Sequence, residues 1–566
     1  MKTLRKRSWI AALGLVLLSL PLAMAYAQDE AAPEAQAAVN KPVAVVSVAP
    51  VSKVIRDVQF LATAADQADL GRMVAIMSAP FTQGVDKTKP IGAVVMTNGQ
   101  DFQPVGFIPV TDFDSVMLLI KEQYGPPQDV GDGVKLLGTP IPLFVKEIEG
   151  WAIVSGDKDN LGILPADPST LLGEMPNDYD LAVTVLPGNV PELYREILVE
   201  QMRAGVELSL EQEAEETDEE FAARKEMLAK QIEEVKRVFE ETEEITVAWN
   251  VDSEGGITYL DMLLNPVAGS KMAQQLEMNR NQASDYAGFH KKGAAFSMLV
   301  TSKSDPAEIE PQIPQLQAIR DQAIVEATKE ADDEEAKQAI TTAIELAFDT
   351  LIETARTGRF DMGAHLDLAD EKMTFLLGAF VADGNRVEDG FKELAEIAKE
   401  NPDFPGVNWN AETHQAVRFH TMSIPTEKAD DKAKKVLGDK LDVVLGVAEQ
   451  GAYLAIGDQA TTKLKAAIDK SAASAGQPVN SSTMVFSVKT ILQYIDFVDP
   501  QPALKSAIAA LTEETDKISI TSEVNEKGAR VRLQLQDDVI KAAAIGAAAA
   551  NNNPNNAGPE VDVQDF

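Results

Sequence analysis

The residue types that most often carry chemistry are sparse and scattered in this chain. Histidine occurs four times, at His290, His365, His414 and His420, with no H-x-x-x-H or H-E-x-x-H spacing. The pattern of residues 413–422 predicts one strand bearing both His414 and His420. Six residues at about 3.3 Å each then put the two about 20 Å apart on one face, too far to share a metal ion. Cysteine is absent, which removes disulfide frameworks, thiolate metal sites and cysteine nucleophiles. No G-x-S-x-G elbow exists, and neither Ser155-Gly156-Asp157 nor Ser270-Lys271 has a partner base at a recognisable offset. Gly131-Asp132-Gly133 and Gly255-Gly256 read as turns, not phosphate cradles. Acidic residues are so abundant that a glycosidase-like pair can be written from many combinations, none singled out by its spacing. No catalytic or cofactor-binding residue is expected.

Calcium is the metal whose chemistry fits best, because a hard cation takes several oxygen ligands. The candidate ligands are Asp157, Asp159 and Asn160. Counted as an EF-hand loop, Asp157 and Asp159 hold the first and third places and Gly162 the sixth. Leu161 at the fifth and Pro168 at the twelfth break the ligand set. A helix-capping turn is the competing reading, as a solvated helix start is for Asp332-Asp333-Glu334-Glu335. Trp151, Trp249 and Trp409 fall on or beside apolar runs and are expected in the core.

The chain around these residues has 566 residues, 51 basic side chains against 89 acidic ones, and a net charge of −38. That length suggests two to four domains. The acidic balance argues against nucleic acid, whose phosphates need clustered Lys and Arg. Lys2, Arg5, Lys6 and Arg7 precede an apolar run ending at Pro21, followed by small residues at Ala23, Ala25 and Ala27. This is the layout of a secretory signal peptide cleaved between Ala27 and Gln28. The apolar run is too short to span a bilayer, so no transmembrane anchor is expected after cleavage. The mature chain would carry −42 and reside outside the cytoplasm, in the periplasm or beyond.

The expected organisation is a leader at 1–27, a polar segment at 28–41, two α+β halves at 42–285 and 286–550, and an Asn/Pro-rich tail at 551–566. The halves rest on a recurring local pattern: an apolar β-rich run, a polar or Pro-containing break, then a helical period. It begins at residues 43, 181, 295 and 484. Mixed continuous and alternating apolar runs suit antiparallel sheets with helices packed on one face. Two acidic helical-hairpin insertions interrupt the halves, at 207–244 and 307–356. The first holds 15 acidic and five basic residues, with Phe221, Leu228, Ile232, Val235 and Phe239 on a coiled-coil-like seam. Such arms could pair one copy of the chain with another.

The segments GWAIVSGD at 150–157 and GAYLAIGD at 451–458 share one frame: a glycine turn, an apolar strand and a Gly-Asp exit. With the leader and the cysteine-free acidic body, the chain resembles uncharacterised secreted repeat proteins of Gram-negative-type bacteria. That resemblance implies no activity and no functional residues. The leading expectation is an exported, non-enzymatic binding or structural protein with an unknown protein or cell-envelope partner. A periplasmic carrier of an apolar, lipid-like ligand is the second expectation. A carboxylate-dependent hydrolase is the third.

Overall fold

The computed structural model describes residues 40–551 except 140, 211, 213–217, 330–333, 369–371 and 400–401. The leader with Ala25, Ala27 and Gln28, the tail from residue 552, and Asp332 and Asp333 lie outside the described residues.

The chain forms two compact units, one of residues up to 56 with 73–250, the other of residues 57–72 with 251 onward. In the first, β1 (Lys41–Val48), β2 (Ile91–Thr97), β3 (Phe102–Pro109), β4 (Gln128–Asp129), β5 (Lys135–Leu137), β6 (Leu143–Ile148), β7 (Trp151–Ser155), β8 (Leu181–Val185) and β9 (Thr242–Asp252) are antiparallel. Their order is β4-β5-β6-β7-β3-β2-β1-β8-β9. The second unit contains β10 (Ile257–Pro266), β11 (Phe296–Lys303), β12 (Arg359–Asp367), β13 (Thr374–Phe380), β14 (Asn408–His414) and β15 (Val417–Pro425). It continues with β16 (Lys440–Ala448), β17 (Gly451–Gly457), β18 (Ser482–Ser487), β19 (Lys517–Val524) and β20 (Ala529–Gln536). The order there is β14-β15-β16-β17-β13-β12-β11-β18-β19-β20-β10, again antiparallel. Helices fill most of the longer connections, and the class is α+β. The boundary falls at residue 250 rather than 285 because β10 pairs with β20 from Ile257↔Gln536 to Leu264↔Ala529. That ladder draws the chain after residue 250 into the second unit.

Each sheet buries one face deeply. In the first unit Val45, Val94, Val105, Phe107 and Ile153 close over Leu161 and Leu172 from two short 3-10 turns. In the second, Leu299, Leu376, Phe419, Val444 and Ala455 pack against Phe289 and against Leu464, Ala467 and Ile468 of the helix Ala460–Ala473. Helices also occupy the opposite faces. Val116, Met117 and Ile120 of the helix Phe113–Tyr124 pack on Val145 and Ala152. The helix Gly384–Ala398 is tied through Glu388 to Arg418, whose side chain points away from its neighbour Phe419. The expectation of helices on a single face is therefore corrected. Strands such as β16 carry apolar residues on both sides and need cover on both. Asp112 and Asp383 start those two helices by accepting the backbone N–H groups of Ser115 and Asn385 at 3.1 and 2.9 Å.

The acidic stretches are helical. Within 207–244 the helix Asp218–Glu241 follows the last three residues of Glu192–Ser209, and within 307–356 lie Ile313–Thr328 and Glu334–Arg356. After the strand Ser482–Ser487 the helical pattern divides into Val488–Val498 and Pro502–Ala509, because Pro500 and Pro502 cannot continue a helix.

Gly288 shows how closely the buried face is packed. A Cβ built there would lie 2.1 Å from the Ala467 carbonyl oxygen and 2.4 Å from the Ser471 nitrogen. Both are backbone atoms that cannot move aside. Gly288→Ala is expected to cost about 1–3 kcal/mol, measured as a lowered thermal midpoint; an unchanged midpoint would contradict this packing.

Candidate functional site

The second unit's other face is the distinctive surface. β20 alternates strictly, with Val531, Leu533 and Leu535 on one side and Arg530, Arg532, Gln534 and Gln536 on the other. β10 follows it, setting Leu260 and Met262 against Tyr259 and Asp261. An alternating strand ordinarily buries its apolar side. Here the polar side holds the fully buried Asp261, while Leu260, Met262, Val531 and Leu533 remain 44%, 51%, 37% and 38% exposed.

Register extends that apolar side across the sheet. Leu260, Leu533, Ile520, Met484, Met298 and Ala364 are successive cross-strand partners. The row continues through Leu377, Leu454 and Leu445 to His420. Ten strands at about 4.8 Å spacing make it about 43 Å long. A second row, containing Leu535, Ile518, Phe486, Phe296, Leu366 and Phe375, runs beside it. Outside the buried Ala364 and Leu445, the apolar side chains of both rows are half-buried or exposed, and neither row contains Asp, Glu, Lys or Arg. The first unit repeats the pattern on a smaller scale. Val247, Val183, Val46, Ala93, Gly106 and Val154 form a half-buried row, and their alternate neighbours face the closed core.

The long row ends in a charged cluster beneath the helix Gly384–Ala398. Arg418 donates to Glu388 through Nε at 3.2 Å and Nη2 at 2.5 Å, and Lys392 Nζ lies 2.9 Å from the same carboxylate. Burial opposes the charge on Glu388, but these two cations hold its pKa below the ordinary carboxylate value. His420 is buried, and its Nδ1 accepts the Asn410 N–H at 3.1 Å. The proton therefore sits on Nε2, which has no hydrogen-bond partner and stands 3.8 Å from Glu388 Oε2. Burial, with Arg418 and Lys392 adding to it against the pull of Glu388, lowers the His420 pKa. The whole cluster is a polar clamp holding helix to sheet.

Two other imidazoles are held neutral in the same way. His290, on Ser297 Oγ at 2.9 Å, is lowered by burial and by Lys470 and Lys292. His365 donates Nδ1–H to the Phe289 carbonyl at 2.7 Å and is lowered chiefly by burial, with Lys291 and Lys470 adding to it. Below the ordinary imidazole value of 6.5 the unfolded chain binds protons that the folded chain refuses. Stability contributed by these groups is thus complete above pH 6.5 and drains as pH falls through that value. The urea midpoint is expected to be lower at pH 5.5 than at pH 7.5; an equal or higher midpoint at pH 5.5 would contradict it.

His414 and His420 do not share a strand. Gln415 and Ala416, with φ of 46° and 63°, turn the chain between β14 and β15, and His414 instead bonds Asp469 at 2.7 Å. The calcium candidates form a capping turn: Asp157 Oδ1 accepts the Asp159 N–H at 2.9 Å, and the Asn160 amide turns inward toward Ser155 Oγ at 3.5 Å. Among the described residues no cluster of three or more His, Asp or Glu side chains is arranged to hold a metal ion. Trp151 is buried, as expected, while Trp249 and Trp409 are half-buried. Two concavities stand out: one of about 330 Å³ lined by Thr421, Ser423 and Asp442 together with Met422, Val443 and Val444, and one of about 520 Å³ lined by polar groups including Thr328, Lys337 and Glu345. Among the described residues no helix is long and apolar enough to cross a membrane. The apolar rows were missed by reading the sequence because they join residues hundreds of positions apart; the alternation of β20 was the signal present. No family model, curated protein or solved structure matches this chain.

Proposed function

We propose that the chain is an exported, non-enzymatic carrier of acyl-chain lipids, built by internal duplication of an α+β module. One observation carries the reading: on β10 and β20 the apolar side chains Leu260, Met262, Val531 and Leu533 are exposed, while Asp261 on the other side is fully buried. A soluble domain leaves so large an apolar surface uncovered where something else covers it. The exposed end of the rows, on β10 and β20, suits a hydrocarbon chain better than a protein partner, since Leu260, Met262, Val531 and Leu533 offer an apolar surface without charge. Each methylene withdrawn from water onto such a surface is worth about 0.8 kcal/mol.

The duplication is supported by strand order. Position for position, β4-β5-β6-β7-β3-β2-β1-β8-β9 matches β14-β15-β16-β17-β13-β12-β11-β18-β19. The two similar glycine-led segments supply β7 and β17, at the same place in each order. The basic and apolar leader supports export, and a cell-envelope membrane is the natural donor or acceptor of such a cargo.

The test is to purify the mature chain under non-denaturing conditions and extract it with organic solvent. Acyl lipid recovered in near-stoichiometric amount is expected. A lipid-free extract, together with no uptake of added fatty acid, would refute the reading.

A further inference from the structure

We propose that the apolar face of the second unit is a methionine-oxidation site, and that sulfoxide formation there releases the acyl ligand; this rests on the carrier reading above. The chain contains 17 methionines and no cysteine, so the thioether is its only redox-active sulfur. Met262, Met298 and Met484 lie in the apolar rows or beside them, and Met298 and Met484 are direct cross-strand partners. Met362 and Met422 stand on the same side of β12 and β15. Met262 is 51% exposed and faces Val531, so an oxidant in solution can reach its sulfur.

The oxidant is a hydroperoxide. The thioether lone pair attacks the distal peroxide oxygen, the O–O bond breaks, and an S–O bond forms. Sulfur loses two electrons, and the peroxide is reduced and leaves as water or an alcohol carrying the proton. The product is a strong acceptor placed among Leu260, Val531 and Leu533, whose side chains offer no donor. In the free protein water solvates that oxygen; against a hydrocarbon chain nothing does. The same unbranched side chains, while reduced, adapt to acyl chains of differing length and unsaturation.

The experiment titrates the mature protein with the fluorescent fatty acid cis-parinaric acid before and after hydrogen peroxide, with peptide mass mapping of Met262 and far-UV circular dichroism. Oxidation at Met262 is expected to weaken binding about tenfold or more with the fold retained, and methionine sulfoxide reductase to restore it. In the doubly substituted Met262→Leu, Met484→Leu protein, oxidation is expected to change affinity by less than about twofold from that variant's own reduced state. Complete oxidation of Met262 with unchanged affinity overturns the proposal, as does loss explained by unfolding or left unrestored by the reductase. Failure of the reduced protein to bind the probe refutes the carrier reading itself, and the oxidation site falls with it.

Discussion

Leu533→Asp is expected to abolish uptake of an acyl probe while leaving a folded chain. Leu533 stands in the long row between Leu260 and Ile520 and is 38% exposed without ligand, so a carboxylate there can keep its water in the free protein. With hydrocarbon bound it cannot. The change removes a leucine contact worth about 1.5–3 kcal/mol and adds the desolvation of a charge, which costs several kcal/mol more. Since about 1.4 kcal/mol is a tenfold change, affinity is expected to fall at least about 100-fold. Isothermal titration with oleate measures it, with thermal melting as the control for folding. Gln534→Asp, one residue away on the opposite side of β20, is expected to leave binding within about threefold. Equal losses from the two substitutions would show that the face has no special part in binding.

Arg532→Ala is expected to destabilise the second unit by about 3–5 kcal/mol, the cost of breaking one half of a buried ion pair. Arg532 Nε and Nη2 reach the two oxygens of Asp261, both at 2.7 Å, and the guanidinium lies 3.7 Å from the Tyr259 ring centroid. Asp261 is fully buried. Removing the arginine takes away the bidentate partner of a carboxylate without access to water. Lysine cannot replace the planar fork or its stacking, so Arg532→Lys is expected to recover less than half of the loss. Asp261→Leu combined with Arg532→Met is expected to cost less than Arg532→Ala alone, because the carboxylate that the arginine neutralises is removed with it. Urea denaturation followed by tryptophan fluorescence and circular dichroism reports all three. A cost below about 1 kcal/mol for Arg532→Ala would contradict the pairing of β10 with β20.

The same pair of strands shows what could be read from the sequence. Alternation marks β20 as a strand and β10 as its neighbour in kind, and the antiparallel α+β class follows from such runs. Alternation does not say which side meets water. The ordinary inference assigns Leu533 to the interior and Arg532 to the surface, whereas Asp261 is buried and Leu533 is not. The hairpin at Gln415-Ala416 was illegible for a local reason: neither residue is a usual left-handed turn former, so β14 and β15 read as one strand. The turn at Asp157 was legible as a choice between a cap and an ion site, and the structure shows the cap, with the Asp159 N–H on Asp157 Oδ1. Pairings such as Leu260 with Leu533 or Met298 with Met484 depend on register set by the whole sheet, which no local pattern encodes.

The most direct measurement is photolabelling of the mature protein with a fatty acid bearing a diazirine near the middle of its chain, followed by peptide sequencing of the adducts. Adducts concentrated on β10, β18, β19 and β20, and suppressed by excess unlabelled oleate, are the expected result. Labelling that is absent, indifferent to oleate, or confined to segments away from that face would contradict the central claim.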